Sequence, residues 1–97
     1  MKIQGFIWHG NVIYKLYNKH NVTPGEVEEA FEDKPIFLKK ECGKVEGEDL
    51  YNALGRTVSG RYLSIFFIYK SSHQALIVSA RDMDRKERRY YDKRHGS

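Results

Sequence analysis

The sequence predicts an α+β fold, in which an antiparallel sheet of four to five strands is accompanied by two N-terminal helices and one C-terminal helix. Three observations predict it. Apolar residues recur at helical spacing in two segments before Lys34, and at strand spacing from Pro35 to Ala80. A helix-capping pattern then begins at Asp84. The 97 residues suffice for one domain, so we expect a single domain over residues 1–97.

The first strand and the first helix are predicted from residue type and spacing. Ile3–Trp8 is short and rich in β-branched and aromatic residues, which is typical of a strand. Apolar side chains within Ile13–Tyr17 lie three and four residues apart, which places them on one face of a helix. We expect Asn11 to cap this helix and Asn21 to end it in a left-handed conformation.

The second helix has the strongest start signal in the chain. Thr23 and Glu26 form a capping box around Pro24, a residue suited to the first helical position. The apolar residues within Val27–Phe31 then supply a narrow buried face. Pro35 disfavours helical conformation in the residue before it, so the helix must end there.

Four further strands follow, separated by turn-forming residues. They are Ile36–Lys39, Leu50–Val58, Arg61–Tyr69 and Ala75–Ala80, with a polar loop over Glu41–Asp49. Ser59-Gly60 is predicted to form a two-residue hairpin turn. Both faces of Arg61–Tyr69 are apolar, which indicates a central strand covered on both sides.

The C-terminal segment predicts the third helix. Asp84 and Glu87 make a second capping box, and the helix is expected to run to about Arg94. The complete order is then β-α-α-β-β-β-β-α, with the helices packed on one main face of the sheet.

The distribution of charge favours contact with a polyanion. The net charge is only +4, but residues 22–33 are acidic, whereas the segment from Arg81 to Arg94 is strongly basic. This asymmetry suits the steering of nucleic acid, although it is equally typical of a solvated helix whose bases are balanced by acids. Within the basic segment, Arg85, Arg88 and Arg89 are the candidate RNA-binding residues.

The composition argues against several classes of protein. No apolar run approaches the roughly 20 residues of a membrane span, and the N-terminus lacks the apolar core of a secretion signal. Cys42 has no second cysteine to pair with, so we expect a reducing, cytoplasmic location. The histidines lack metal-ligand spacing, and no glycine-rich phosphate loop or G-x-S-x-G motif occurs, so neither a metal nor a cofactor is expected.

A basic set of residues with one imidazole remains, and its chemistry suits RNA. Lys19 and His20 end the first helix, Arg56 lies in a strand, and Arg81 closes the last strand. Cleavage of RNA by its own 2′-hydroxyl needs proton transfer, which His20 and Glu48 could supply, and cations on the phosphate. Structural roles stay open: His20 as a partly buried helix residue, and the arginines as partners of carboxylates.

Several short motifs also occur in a fixed order from about residue 6 to residue 91. They are Phe6-Ile7-Trp8, Lys19-His20-Asn21-Val22, Glu26–Asp33, Tyr51-Asn52-Ala53-Leu54-Gly55-Arg56-Thr57, Gly60-Arg61, Ser79-Ala80-Arg81 and Glu87-Arg88-Arg89. As an ordered set they resemble the BrnT toxin family. The resemblance implies a RelE-like ribonuclease fold and a metal-independent toxin that cleaves RNA and inhibits translation. It also implies a BrnA-like ribbon-helix-helix antitoxin, with a toxin–antitoxin heterotetramer as one possible assembly.

The resemblance assigns site residues by position. The family's Lys-His pair corresponds to Lys19-His20, the arginine of its Gly-Arg motif to Arg56, and the arginine of its Ser-Ala-Arg motif to Arg81. Its loop carboxylate corresponds to Glu48, or to Asp49 in a second register.

The chain departs from the family pattern around the first helix. His9, Val12, Leu16 and Asn21 stand where aspartate, lysine, asparagine and glycine are usual. The first three changes remove polar groups or alter charge near the implied site, which indicates a divergent branch.

Two functions follow from the sequence, and the placement of three residues separates them. An enzyme requires His20, Arg56 and Arg81 to meet in one accessible pocket. A non-catalytic module that binds RNA or the antitoxin would leave them apart, or hold each in a structural ion pair. A weaker option is RNA binding through bases stacked on tyrosines, a residue type more often found in the core. The tyrosines concerned are Tyr14, Tyr17, Tyr90 and Tyr91.

Overall fold

The computed structural model describes residues 1–44 and 48–95, and its helices and strands occur in the predicted order. They are β1 (Gly5–Ile7), α1 (Gly10–His20), α2 (Pro24–Glu32), β2 (Ile36–Glu41), β3 (Leu50–Arg56), β4 (Tyr62–Tyr69), β5 (Gln74–Asp82) and α3 (Arg85–Arg94). Among the described residues the strands form a five-stranded sheet in the order β1-β5-β4-β3-β2. The α+β class is confirmed, and β4 is the central strand as predicted.

One pair of strands departs from the predicted antiparallel arrangement. β1 runs parallel to β5, with Phe6 opposite Ala75, whereas the other neighbouring strands are antiparallel. The reason lies in the connection after β1. Helices α1 and α2 carry the chain across one face of the sheet to the far edge, where β2 forms, so β1 and β5 are not joined by a hairpin that would make them antiparallel.

The helices cover both faces of the sheet, so the prediction of one main face is wrong for α3. α1 packs on β5, and α2 packs on β3 and β4. A Cβ atom at Gly55 would collide with the Ala30 carbonyl oxygen of α2, so this close approach requires glycine. On the opposite face, the Ser64 hydroxyl of β4 donates to Glu87 of α3. The capping box begins α3 shortly after β5, and the contact of its Glu87 with Ser64 holds α3 on that second face.

The hydrophobic core lies between the sheet and the layer of α1 and α2. Val27, Ile65 and Phe67 are fully buried there. Phe31 of α2 packs edge-on against Phe67, with ring centroids 5.3 Å apart, and edge-on against Phe6 of β1 at 5.0 Å. Edge-to-face aromatic pairs add to the burial of apolar area, so these contacts fix α2 over the middle of the sheet.

Both predicted capping boxes are confirmed. The Thr23 side chain accepts from the Glu26 amide at the start of α2, and the Asp84 side chain accepts from the Glu87 amide at the start of α3. In each box the glutamate also accepts from the backbone amide of the capping residue. The start of α3, and with it the position of Glu87, is therefore fixed locally.

The C-terminus of α1 ends as predicted, but its N-terminus does not. The helix begins at Gly10 after His9, whose side chain makes no cap, so the predicted cap at Asn11 is wrong. The His9 carbonyl accepts from the amides of Val12 and Ile13. These bonds form the first helical turn, so Asn11 lies inside the helix and cannot cap it. At the other end Asn21 adopts the predicted left-handed conformation, with φ of 54°.

The turn between β3 and β4 is longer than the predicted two-residue hairpin. β3 ends at Arg56, β4 begins at Tyr62, and the Thr57 amide donates to the Arg61 carbonyl at the base of the turn. Gly60 has φ of +94°, and the Thr57 hydroxyl accepts from the Arg61 amide, so residues 58–60 form the loop. This closure places Arg56 directly opposite Tyr62.

The loop predicted over Glu41–Asp49 is described only at its ends, because residues 45–47 lie outside the described part of the chain. At its start, β2 continues as far as Glu41. No helix in the described ranges has the length and apolar character needed to cross a membrane.

Candidate functional site

Two arginines contact the same tyrosine ring at one end of the sheet. Arg56, the last residue of β3, lies opposite Tyr62, the first residue of β4. The guanidinium carbon of Arg56 is 4.5 Å from the centroid of the Tyr62 ring, and that of Arg88 in α3 is 4.1 Å from it. Cation–π contacts are attractive within about 6 Å, so the ring holds two positive charges close together.

The guanidinium of Arg56 has no acidic partner within the described residues. It forms no hydrogen bond or ion pair with them, and its Nε is buried without an acceptor. A cavity of about 250 Å³ beside it is lined by Glu29, Glu32 and Asp33, but none of these carboxylates pairs with it. A buried N–H group that lacks an acceptor costs about 1–3 kcal/mol, so the Nε of Arg56 is held in place at a cost in stability.

Arg81 is held by an ion pair with Glu87. Its Nη1 and Nη2 donate to the Glu87 carboxylate at 2.7 and 3.0 Å, and Nη1 also donates to the Asp82 carbonyl at 3.1 Å. The hydrogen bond with Glu87 raises the pKa of Arg81. Burial acts to raise the pKa of Glu87, but hydrogen bonds from Arg81, the Asp84 amide and Ser64 outweigh it and hold that pKa below its ordinary value.

Arg81 lies on the same face of the sheet as Arg56 and Arg88. In β5 it is opposite Ser64 of β4, and Ser64 shares a face with Tyr62 because strand side chains alternate. β3 and β5 flank β4, so the backbones of Arg56 and Arg81 are about 10 Å apart measured across the strands. We refer to Arg56, Arg81 and Arg88 as the arginine cluster.

The tyrosines differ in their surroundings. The Tyr62 hydroxyl donates to Asp92 at 3.0 Å, and the Tyr91 ring packs edge-on against Tyr62 with centroids 5.7 Å apart. Burial raises the pKa of Tyr91, which is only 3% exposed and belongs to the core beneath α3. By contrast, Tyr14 and Tyr17 of α1 are exposed.

Lys19 and His20 lie at this same end of the sheet, at the C-terminus of α1. Arg61 fastens the helix end: its Nη2 donates to the His20 carbonyl at 2.8 Å, and its Nε donates to Asp82 at 2.7 Å. Asp82 is adjacent to Arg81 in β5, so the two side chains point to opposite faces of the sheet, and Lys19 and His20 lie with α1 on the face opposite the arginine cluster. Both the Lys19 and His20 side chains are exposed and have no partner among residues 1–44 and 48–95.

Glu48 lies at the opposite end of the sheet. It precedes β3, whereas Arg56 ends β3, and a strand of 7 residues spans roughly 20 Å. Its carboxylate accepts from the Lys70 Nζ at 2.6 Å. Asp49, the residue of the second register, pairs with Lys39 at 3.0 Å. The structure brings neither carboxylate to the arginine cluster.

The three candidate RNA-binding arginines of α3 lie on two sides of the helix. Arg88 contacts Tyr62 and belongs to the cluster. Arg85 and Arg89 are exposed and make no hydrogen bond or ion pair with the described residues. One helical turn separates these two, so they share the outer side of α3.

Two residues of the site are not singled out as functional by sequence reasoning. The sequence indicates Glu87 only as half of a capping box and as part of the Glu87-Arg88-Arg89 motif, yet its side chain also binds Arg81 and Ser64. Arg61 enters only as part of a short motif, yet it ties α1 to β5. The strand-to-helix connection after Arg81 is short, which was the available signal that Glu87 lies close to it.

The arrangement is suited to binding a phosphodiester. A guanidinium presents planar N–H donors that match phosphate oxygens, and Arg56 has its donors unpaired in the described structure. No group of three or more His, Cys, Asp or Glu side chains within residues 1–44 and 48–95 is placed to hold a metal ion.

A family model described as the ribonuclease toxin BrnT of type II toxin–antitoxin systems matches residues 8–87. The chain belongs to the BrnT family. The match to BrnT includes Lys19, His20, Arg56, Arg81 and Glu87 and ends before Arg88. Membership identifies the chain as a toxin of such a pair and implies an antitoxin partner. A comparison with curated proteins gives no match.

Proposed function

We propose that this BrnT chain is an endoribonuclease that cleaves RNA at the arginine cluster without a metal ion. The observation that carries the proposal is the unpaired guanidinium of Arg56, held against Tyr62 with its Nε buried. The Nη groups of Arg56 form no hydrogen bond with the described residues and are available to a phosphodiester oxygen, and hydrogen bonds between arginine and phosphate are charge-assisted. The family's description as a ribonuclease toxin supports the same substrate.

The proposed reaction uses only the RNA and the side chains of the chain. The 2′-oxygen attacks the adjacent phosphorus and gives up its proton, the bond from phosphorus to the 5′-oxygen breaks, and a proton is delivered to that oxygen. The products are a 2′,3′-cyclic phosphate and a 5′-hydroxyl. Negative charge grows on the phosphate oxygens as the 2′-oxygen attacks, so well-placed guanidinium groups lower the barrier.

Arg81 is the second cation of the proposed site. Arginine has five N–H donors. Three of them make the bonds to Glu87 and Asp82, which leaves two for a phosphate oxygen. Glu87 is then a positioning residue, because its bidentate ion pair fixes the plane of the Arg81 guanidinium.

In this proposal, His20 transfers protons and Lys19 adds positive charge. Both side chains are exposed, unpaired within the described residues, and fastened through Arg61 to the end of the sheet that carries the cluster. Imidazole exchanges protons near neutral pH, which suits general acid–base work. Glu48 is left out of the proposed site because it pairs with Lys70 at the far end of β3.

The proposed biological role is a toxin that inhibits translation by cutting RNA in the cytoplasm. A BrnA-like ribbon-helix-helix antitoxin would neutralise it by covering the arginine cluster, in a complex such as a heterotetramer. The exposed Arg85 and Arg89 extend the positive surface beyond the cluster, which suits long-range attraction of RNA or of an acidic antitoxin segment.

The test is cleavage of a labelled RNA by the purified chain in EDTA, with analysis of the fragment ends. We expect cleavage with 2′,3′-cyclic phosphate and 5′-hydroxyl ends. The matched arginine variants Arg56→Ala and Arg89→Ala separate the cluster from the general positive charge of the surface. Cleavage that stops in EDTA and returns with Mg²⁺ would contradict the metal-free mechanism.

A second candidate is a non-catalytic module that binds RNA or the antitoxin through the same surface. It is favoured by the ion pair that holds Arg81 and by the distance of Glu48 from the cluster. The same assay separates the two: this candidate predicts that wild-type chain retains RNA on a filter but leaves it intact.

A further inference from the structure

A pocket lies on the α3 face of the sheet, between α3 and the strands β2 and β3. Its volume is about 400 Å³, within the range of about 300–1,000 Å³ typical of small-molecule sites. Leu38 and Leu54 form apolar walls, and Tyr90 of α3, a residue that is 38% exposed, contributes an aromatic ring. The pocket also contacts Glu87, so it adjoins the arginine cluster.

The wall of the pocket contains a buried asparagine with an unpaired acceptor. Asn52 is fully buried, and its Nδ2 donates to the Ile65 carbonyl at 3.1 Å and to the Ser64 hydroxyl at 2.9 Å. A carbonyl can only accept, so this bond fixes which end of the amide carries the nitrogen. The Oδ1 is therefore the free end, and it has no partner among the described residues.

The unpaired oxygen is connected to the arginine cluster by hydrogen bonds. Asn52 donates to Ser64, Ser64 donates to Glu87 at 3.1 Å, and Glu87 accepts from Arg81. Each of these donors is already used, so Asn52 offers an acceptor and no donor to a ligand. A ligand with an N–H group could donate a hydrogen bond to Asn52 Oδ1. A buried acceptor without such a bond lowers the stability of the fold.

Two exposed lysines complete the pocket. Lys40 at the end of β2 and Lys86 in the first turn of α3 both line it. Ammonium groups donate to the O6 and N7 atoms of guanine and also attract phosphate. An apolar slot with an aromatic ring, an acceptor and nearby cations matches a nucleobase better than it matches an apolar protein side chain.

We propose that this pocket binds one nucleobase of the RNA, and that guanine is the preferred base. Guanine has adjacent N–H groups that could donate hydrogen bonds to Asn52 Oδ1. It also has the acceptors O6 and N7, to which the lysines could donate. The proposal rests on the proposed function, since a base held here would carry its phosphate towards Arg81. The hydrogen bonds from Ser64 and Arg81 to Glu87 would fix the position of the pocket relative to the arginine cluster.

The test is the binding of guanosine 5′-monophosphate to the whole chain, compared with the uridine nucleotide and with inorganic phosphate. We expect guanosine monophosphate to bind about 10-fold more tightly than uridine monophosphate, because its base makes more hydrogen bonds. Tyr90→Ala should bring the two affinities together, whereas the matched variant Tyr17→Ala, on exposed α1, should change neither. Asn52→Leu should act like Tyr90→Ala, and the Tyr90 variant alone decides the test if that buried substitution prevents folding.

The outcomes distinguish the pocket from the reaction. Equal binding of the two nucleotides and of phosphate would overturn the base pocket, even if RNA is still cleaved. Base-selective binding that Tyr90→Ala abolishes supports the pocket, even if the wild type cleaves no RNA and the proposed function fails. A Tyr90→Ala variant that keeps nucleotide selectivity but loses antitoxin binding would make the pocket a protein-binding site and overturn the proposal.

Discussion

Arg81 of β5 and Glu87 of α3 form a bidentate ion pair, with N–O distances of 2.7 and 3.0 Å. Because Glu87 also accepts from Ser64 of β4, one carboxylate joins two strands to the helix that carries Arg88. The geometry of the arginine cluster therefore depends on the charge of Glu87.

We predict that the chain loses stability in acid through Glu87. The pKa of this residue is held below its ordinary value of 4.5, so its contribution to stability is present above about pH 4.5 and is lost as the pH falls through the lower, folded-state pKa. Thermal unfolding at pH 7 and at pH 3 measures it. Glu87→Gln should unfold at a lower temperature than wild type at pH 7, and the difference should shrink at pH 3. An equal difference at both values would assign the effect to packing and not to charge.

We predict that Arg56→Ala removes most of the cleavage activity while the chain stays folded. Loss of one well-placed donor to a developing charge costs roughly 3–4 kcal/mol, or about 100–1000-fold in rate. Folding should change little, since Arg56 forms no hydrogen bond with the described residues. Rates at saturating RNA, with the melting temperature of each variant, provide the measurement. Arg89→Ala is the control and should weaken binding in a salt-dependent way without lowering that rate. A folded Arg56→Ala chain with the wild-type rate would make Arg56 structural.

The class of fold and most of its elements could be predicted because local signals dominate them. The capping boxes at Thr23 and Asp84 and the two-faced apolarity of β4 act within a few residues, and the structure confirms them. The parallel pairing of β1 and the placement of α3 on the second face depend on how distant segments pack, which no local pattern records.

The same distinction holds for the candidate site. Arg56 and Arg81 could be selected because they belong to a basic set suited to a phosphate and because the resemblance to the BrnT motifs assigns the same two arginines. Their partners could not: the contact of Arg56 with Tyr62 follows from the register of β3 with β4, which the longer turn at 58–60 sets. The family resemblance assigns Glu48 to the site together with Arg56, eight residues later in the sequence. The two residues lie at opposite ends of β3, so the length of the strand separates them in space.

We predict that Glu48→Gln leaves RNA cleavage within about 2-fold of the wild-type rate, since a surface ion pair contributes little and Glu48 lies far from the cluster. Its carboxylate pairs with Lys70, so Lys70→Ala is the matched control and should behave alike. The measurement is a single-turnover cleavage rate. A loss of 100-fold in Glu48→Gln, but not in Lys70→Ala, would make Glu48 part of the catalytic machinery.

We predict that His20→Ala lowers the cleavage rate by about 100-fold or more, as is typical when a general acid or base is removed. The side chain is exposed and unpaired within the described residues, so the melting temperature should stay unchanged. His9→Ala removes another exposed imidazole near the start of the same helix and serves as the control. The pH profile of the rate should lose one limb in His20→Ala only. An unchanged profile would exclude His20 from proton transfer.

We predict that the antitoxin neutralises the chain by covering the arginine cluster. The cluster and the exposed Arg85 and Arg89 of α3 present several positive charges, and the acidic residues Glu29, Glu32 and Asp33 border them only at the cavity beside Arg56. An antitoxin that occludes the cluster should protect the amides of α3 and β5 from hydrogen exchange, abolish cleavage, and bind more weakly at high salt. Arg88→Glu should weaken the complex, and Lys15→Glu on α1 is the charge-matched control. Protection confined to α2, with RNA still bound by the complex, would show that neutralisation does not act by occlusion of this surface.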